Sequence, residues 1–126
     1  MLIAVDFDGT IVRDCLPNKP RPEDLLPNAR EVLTELHQAG HRLVLWTLRD
    51  PGMGGRFTPA LDCAVEFLDE QGLGFIRLAR AEWGNPLAWK PCVDLFIEDK
   101  IPGGFIGWDQ IRWHILGGIR EGSVRP

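Results

Sequence analysis

Three features of the sequence predict an α/β fold, a three-layer sandwich around a central parallel sheet. Short apolar runs alternate with amphipathic helical segments, turn formers punctuate the chain between them, and three of the four runs end in polar residues of matched kind. The chain has 126 residues, room for one domain that buries roughly two-thirds of its unfolded surface. With 44% hydrophobic and 25% charged residues, and no apolar run near the roughly 20 residues that span a bilayer, the composition is globular and predicts no membrane association.

Leu2-Ile3-Ala4-Val5 reads as a strand buried on both faces that delivers Asp6 and Asp8 to its C-terminal end. Those two acids also interrupt the N-terminal apolar segment, so no secretory leader is expected. Residues 11–27 hold four prolines (Pro17, Pro20, Pro22, Pro27) and read as a loop or short flap. Asn28 as N-cap, Glu31 three residues on, apolar Ala29, Val32, Leu33 and Leu36, and Gly40 as a stop predict the first helix. His41 to Trp46 follows as a second buried strand ending in Thr47, and then a Gly-rich loop from Pro51 to Gly55. That loop has neither a GxGxxG nor a GK[ST] pattern and is not read as a nucleotide cradle.

Thr58 as N-cap, Pro59 at the first helical position, and Leu61, Ala64, Val65 and Leu68 on one face predict a second helix closed by Gly72. Phe75 to Ala79 reads as a third strand and Val93 to Ile97 as a fourth, ending in Glu98-Asp99. Trp108 to Ile119 carries a helical stripe at Trp108, Ile111, Ile115, Leu116 and Ile119. A single domain over residues 1–119 is expected, with 120–126 as a loose tail.

Cys15, Cys63 and Cys92 form no CxxC pair and leave an odd thiol, which points to reduced side chains in the cytoplasm rather than to a disulfide framework or zinc site. The net charge of −4 argues against nucleic acid as a partner. His37, His41 and His114 lack ligand spacing and read as surface or packing residues. Trp83 and Trp89 read as core, with a substrate pocket as the alternative. Arg49 reads equally as a substrate contact or a solvated loop residue.

In an open parallel sheet, ligands gather beyond the C-terminal strand ends, where this sequence places Asp6 with Asp8, then Thr47, then Glu98 with Asp99. Carboxylates brought together this way repel unless a cation or a shared proton compensates. Mg2+, which prefers oxygen ligands and recruits substrate phosphate, is the expected cofactor.

Asp6-Phe7-Asp8-Gly9-Thr10 after the first strand resembles the DxDGT signature of the haloacid dehalogenase-like superfamily. Thr47 is similar to that family's second motif, Lys90 to its third-motif lysine, and Glu98-Asp99 to its acidic fourth motif. The likeness covers about residues 1 to 115. It implies Asp6 as nucleophile, Asp8 as general acid/base, Thr47 and Lys90 as phosphoryl ligands, and Asp6, Asp8 and Asp99 around the metal. Lys100 is the alternative lysine, and Glu98 departs from the usual Asp or Gly, with a supporting role beside the metal expected for it.

The activity so implied is hydrolysis of a phosphate monoester, on a small molecule or a macromolecule, through an aspartyl phosphate. The intervals at 11–27 and 48–89 leave no room for a separate cap domain, so an open site is expected, completed by a large substrate or a second copy of the chain. A receiver-like phosphoacceptor and a catalytically silent binding module are the rivals.

Overall fold

A computed structural model of the chain describes residues 1–47, 49, 59–78 and 93–117. Four strands, β1 (Leu2–Val5), β2 (Arg42–Leu45), β3 (Arg77–Leu78) and β4 (Leu95–Ile97), form a parallel sheet in the order β3-β2-β1-β4. Three helices accompany it: α1 (Ala29–Gln38), α2 (Pro59–Glu70) and α3 (Trp108–Leu116). The fold class is the α/β sandwich on a central parallel sheet that the alternation of elements predicts.

Alternation along the strands sorts their side chains into two apolar layers. Ile3, Val5, Leu43, Leu45 and Ile97 pack with Val32, Leu33 and Leu36 of α1, Leu61, Ala64, Phe67 and Leu68 of α2, and Trp108 and Ile111 of α3. Each fully buried Leu or Phe here contributes roughly 1.5–3 kcal/mol. The opposite face buries Ala4 and Val44 against Leu2, Trp46, Val93 and Phe96.

Chain order decides where a ligand can sit. β1 to β2 to β3 steps outward in one direction, and β4 then returns to the other side of β1. The sheet therefore has its topological switch point between β1 and β4, with a crevice at their C-terminal ends.

Three local features differ from the sequence reading. Asn28 precedes α1 as expected, but it stands in the left-handed region (φ 62) without a side-chain cap bond. Its amide instead donates to Asp109 Oδ1 at 3.0 Å, tying α1 to α3, and asparagine tolerates that backbone well. The third helix ends at Leu116, because Gly117 takes the left-handed C-cap conformation. Residues 11–27 include one 3-10 turn, Pro22–Asp24, and bridges joining Asp8 to Val12 and Val12 to Leu25. This flap is anchored twice: Arg13 pairs with the buried Asp24, and Lys19 donates to Glu66 and Glu70 of α2.

Thr58, the Pro51 to Gly55 loop, Trp83, Trp89, Lys90, Cys92 and the 120–126 tail lie outside the described residues. Among the described residues, no helix is long and apolar enough to cross a membrane.

Candidate active site

The site begins with the D-F-D triplet leaving β1. Phe7 continues the Ile3/Val5 stripe into the core, where it meets Phe67 edge-on at 6.2 Å, so Asp6 and Asp8 emerge from the opposite side of the strand. The Asp6 amide donates to Ile97 O at 2.9 Å and the Trp46 amide to Val5 O at 2.9 Å, so the ladders on both sides of β1 run one residue past the strand ends. The chain then turns sharply: Thr10 and Ile11 donate to Phe7 O, and the Trp108 indole closes the turn by donating to Thr10 O at 2.7 Å.

Gly9 makes that turn possible in two ways. Its φ is +81, and a Cβ there would overlap the Asp99 carboxylate. The close approach brings Asp99 from β4 against Asp6 from β1, across the switch point.

The Asp6 carboxyl is pushed up from the ordinary 3.8 to about 7. Burial is the main cause, followed by a hydrogen bond shared with Asp99, and the charges of Asp99 and Asp8 act in the same direction; the Phe7 amide, donating to Asp6 Oδ1 at 2.8 Å, opposes them. Asp99 Oδ1 is buried and has no hydrogen-bond partner among the described residues. Two carboxyls that need a shared proton, one of them with an orphaned oxygen, form an oxygen donor pair suited to a hard cation completed by water and phosphate.

Asp6, Trp46, Thr47, Glu98 and Lys100 line an open pocket of about 140 Å³. Thr47 is buried and accepts the Arg49 amide on Oγ1 at 3.2 Å, which leaves its own hydroxyl proton to donate. The Lys100 ammonium lies 3.8 Å from Asp99 Oδ2 on a largely exposed stem. Of the two lysines named from sequence, Lys90 lies outside the described residues, and Lys100 lines the pocket.

Asp8 goes elsewhere. Arg49, its side chain fully buried, donates from Nε to Asp8 Oδ2 at 2.7 Å and from Nη2 to Oδ1 at 2.9 Å, and the Cys15 amide adds a bond at 3.3 Å. The guanidinium is fixed in turn by Ala60 O at 3.0 Å and by the Phe7 ring, 5.0 Å below it. Arg49 is therefore not a solvated loop residue. It is the buried partner of Asp8.

The three aspartates named for the metal are thus not brought together as a triad. Asp6 and Asp99 converge, Asp8 is committed to the fork, and among the described residues no group of three or more His, Cys, Asp and Glu side chains is gathered to hold an ion. Nor does the nearby thiol offer a rival nucleophile, because burial pushes Cys15 up and Asp8 adds to the effect.

Sequence reasoning named Arg49 but missed its pairing with Asp8, and it missed Trp46 altogether. The Arg49 pairing has no spacing signature, since its partner is 41 residues away. Trp46 reads as the last residue of an apolar strand, although register with Asp6 could have flagged it.

Fold and site together define an α/β protein with a carboxylate pocket at the switch point of its sheet. No family model and no curated protein matches the chain. Among solved structures it is similar to a conserved protein from Bacteroides thetaiotaomicron, with 34% identity over 100% of this chain and 98% of that one, at a TM-score of 0.76. This chain belongs to the same family as that protein.

Proposed function

We propose that the protein is a Mg2+-dependent phosphatase of the haloacid dehalogenase-like type, acting on phosphate monoesters through a phosphorylated Asp6. The observation that carries this reading is the Asp6–Asp99 pair: two carboxyls held together at the switch point by a glycine-dependent turn, beside a hydroxyl and an ammonium in one pocket. A structural role gives no reason to bury repelling acids at a ligand crevice.

Asp6 and Asp99 would hold Mg2+, which would supply positive charge in place of the shared proton and against the phosphate. Asp6, so deprotonated, forms the bond to phosphorus as the bond to the leaving oxygen breaks. Thr47 and Lys100 donate to the phosphoryl oxygens. Asp8 is the proton carrier: with one oxygen released from Arg49 it takes up a proton from solvent in the open site, gives it to the leaving oxygen, and as the carboxylate later takes one from the water that hydrolyses the Asp6 phosphate. Arg49 fixes where Asp8 stands, and transfer requires one Asp8 oxygen to leave the fork. The free thiols of Cys15 and Cys63 support a reducing cytoplasmic setting, and the open pocket supports closure by a large substrate or a second copy of the chain.

The test is phosphate release from a panel of phosphorylated metabolites and phosphopeptides, with and without Mg2+. Metal-dependent release that Asp6→Asn abolishes is expected. Release that is equal in both proteins, or absent throughout, contradicts the reading.

A further inference from the structure

Three side chains stand in one register row just beyond the sheet. β1 pairs Val5 with Leu45 on one side and with Ile97 on the other, so the next position brings Asp6 level with Trp46 and Glu98. The continued ladder bonds, Asp6 amide to Ile97 O and Trp46 amide to Val5 O, hold that row in place. Ala4, Val44 and Phe96 precede these residues by two, so all three share the second face of the sheet and flank one another at about the strand spacing of ~4.8 Å.

The indole of Trp46 is held in place. It packs on Phe96 with ring centroids 4.5 Å apart and a 57° tilt, and on the Ala4/Val44 cluster, while also lining the pocket that contains Asp6. On the far side of Asp6, Glu98 lines the same pocket with a carboxylate, an acceptor for a hydroxyl or amino group. The pocket is open and is lined by Trp46 and Glu98 as well as by Thr47 and Lys100, so a phosphoryl group bound at Asp6 leaves side chains for the rest of a substrate to meet.

Resting on the phosphatase reading, we propose that Trp46 determines specificity: the site takes phosphate monoesters that carry a flat ring, with the ring against the indole and a ring hydroxyl or amino group toward Glu98. An aromatic ring offers the large, rigid, amphipathic surface that an immobilised indole pairs with best. A purely aliphatic substrate of equal volume meets the indole without the favourable ring geometry.

The test measures binding apart from turnover. Benzylphosphonate and cyclohexylmethylphosphonate are non-hydrolysable, similar in size, and differ in flatness. Calorimetry with Mg2+ present should show the wild type binding benzylphosphonate tighter by roughly two- to tenfold, the usual worth of one aromatic pair. Trp46→Leu should erase that preference and Trp46→Phe should retain most of it.

A second pair, a nucleoside monophosphate against ribose 5-phosphate bound to Asp6→Asn, identifies the source of the ring. Preference for the nucleotide places a nucleobase on Trp46, whereas preference confined to benzylphosphonate places there a ring attached close to phosphorus. Equal binding of the two phosphonates by the wild type, no binding of either, or a preference that survives in Trp46→Leu overturns the assignment, whatever the phosphate-release panel shows. Conversely, a ring preference lost in Trp46→Leu upholds it even if no ester is hydrolysed, in which case the phosphatase reading alone falls.

Discussion

Asp6→Asn should stabilise the metal-free protein at alkaline pH while ending its activity. The folded protein holds the Asp6 carboxyl at about 7 against an ordinary value of 3.8. At 1.36 kcal/mol per pH unit, that rise limits the effect to ~4 kcal/mol. Solvent in the open pocket screens the repulsion, so about half, ~2 kcal/mol, is expected.

The sign follows from proton linkage. Between the two values the folded state binds more protons than the unfolded chain, so this contribution is complete below about pH 4 and is lost as pH rises through about 7. Asparagine does not titrate and can donate to Asp99, so the variant lacks this slope. Unfolding should be followed in EDTA from pH 4 to pH 8.5. Relative to the variant, the wild type should lose ~2 kcal/mol across that window, or about 8 °C in melting temperature for a chain of this size. Saturating Mg2+ should remove most of the deficit at the alkaline end. Parallel pH profiles for the two proteins would refute the reasoning, as would a wild type that gains stability on the variant as pH rises.

Gly9→Ala should cost ~1–2 kcal/mol from the left-handed backbone alone, with a further loss from overlap with Asp99, and should raise the Mg2+ concentration needed for half-maximal phosphate release; chemical denaturation and a metal titration check the two parts. Arg49→Met leaves Asp8 without its buried partner and should cost about 3 kcal/mol in denaturant unfolding, with Arg49→Lys intermediate because the fork is lost while the charge is kept. Adding Asp8→Asn to Arg49→Met should recover part of that loss; strict additivity would show that the two side chains are not coupled. Chelation should abolish turnover and added Mg2+ should restore it, and full activity in metal-free buffer would exclude the Asp6–Asp99 metal reading.

The sheet was legible because its strands are apolar runs with abrupt polar ends: Leu2–Val5 ends where Asp6 begins, and Leu95–Ile97 where Glu98 begins. Helix faces followed from spacing, as with Val32, Leu33 and Leu36 on α1 and Leu61, Ala64 and Leu68 on α2, but Val65, expected on the same face, is exposed and Phe67 is buried instead. Local signals carried less. The Asn28 and Glu31 pair reads as a capping box, yet Asn28 spends its side chain on Asp109, a partner 81 residues on that no local window contains.

The same limit governs the site. Strand ends announced Asp6, Thr47 and Asp99, because position in a parallel sheet is a property of each strand taken singly. The different partners of the two acids of Asp6-Phe7-Asp8 were hidden, because they depend on Arg49 reaching from beyond β2 to claim Asp8 and on Gly9 admitting Asp99 to Asp6. Neither contact leaves a periodic trace.

The central claim is that Asp6 carries the phosphoryl group, and trapping that intermediate tests it most directly. Asp8→Asn keeps the nucleophile but impairs the water step, slowing turnover by roughly 10²- to 10⁴-fold if acid/base catalysis has its usual worth. Incubated with Mg2+ and an aryl phosphate whose leaving group needs no proton, then quenched in acid and digested, it should yield the peptide containing Asp6 with the added mass of one phosphoryl group on that residue. The mark should be absent from Asp6→Asn. Phosphate release with no mark on Asp6, or a mark found on Asp8 or Asp99 instead, would contradict the account.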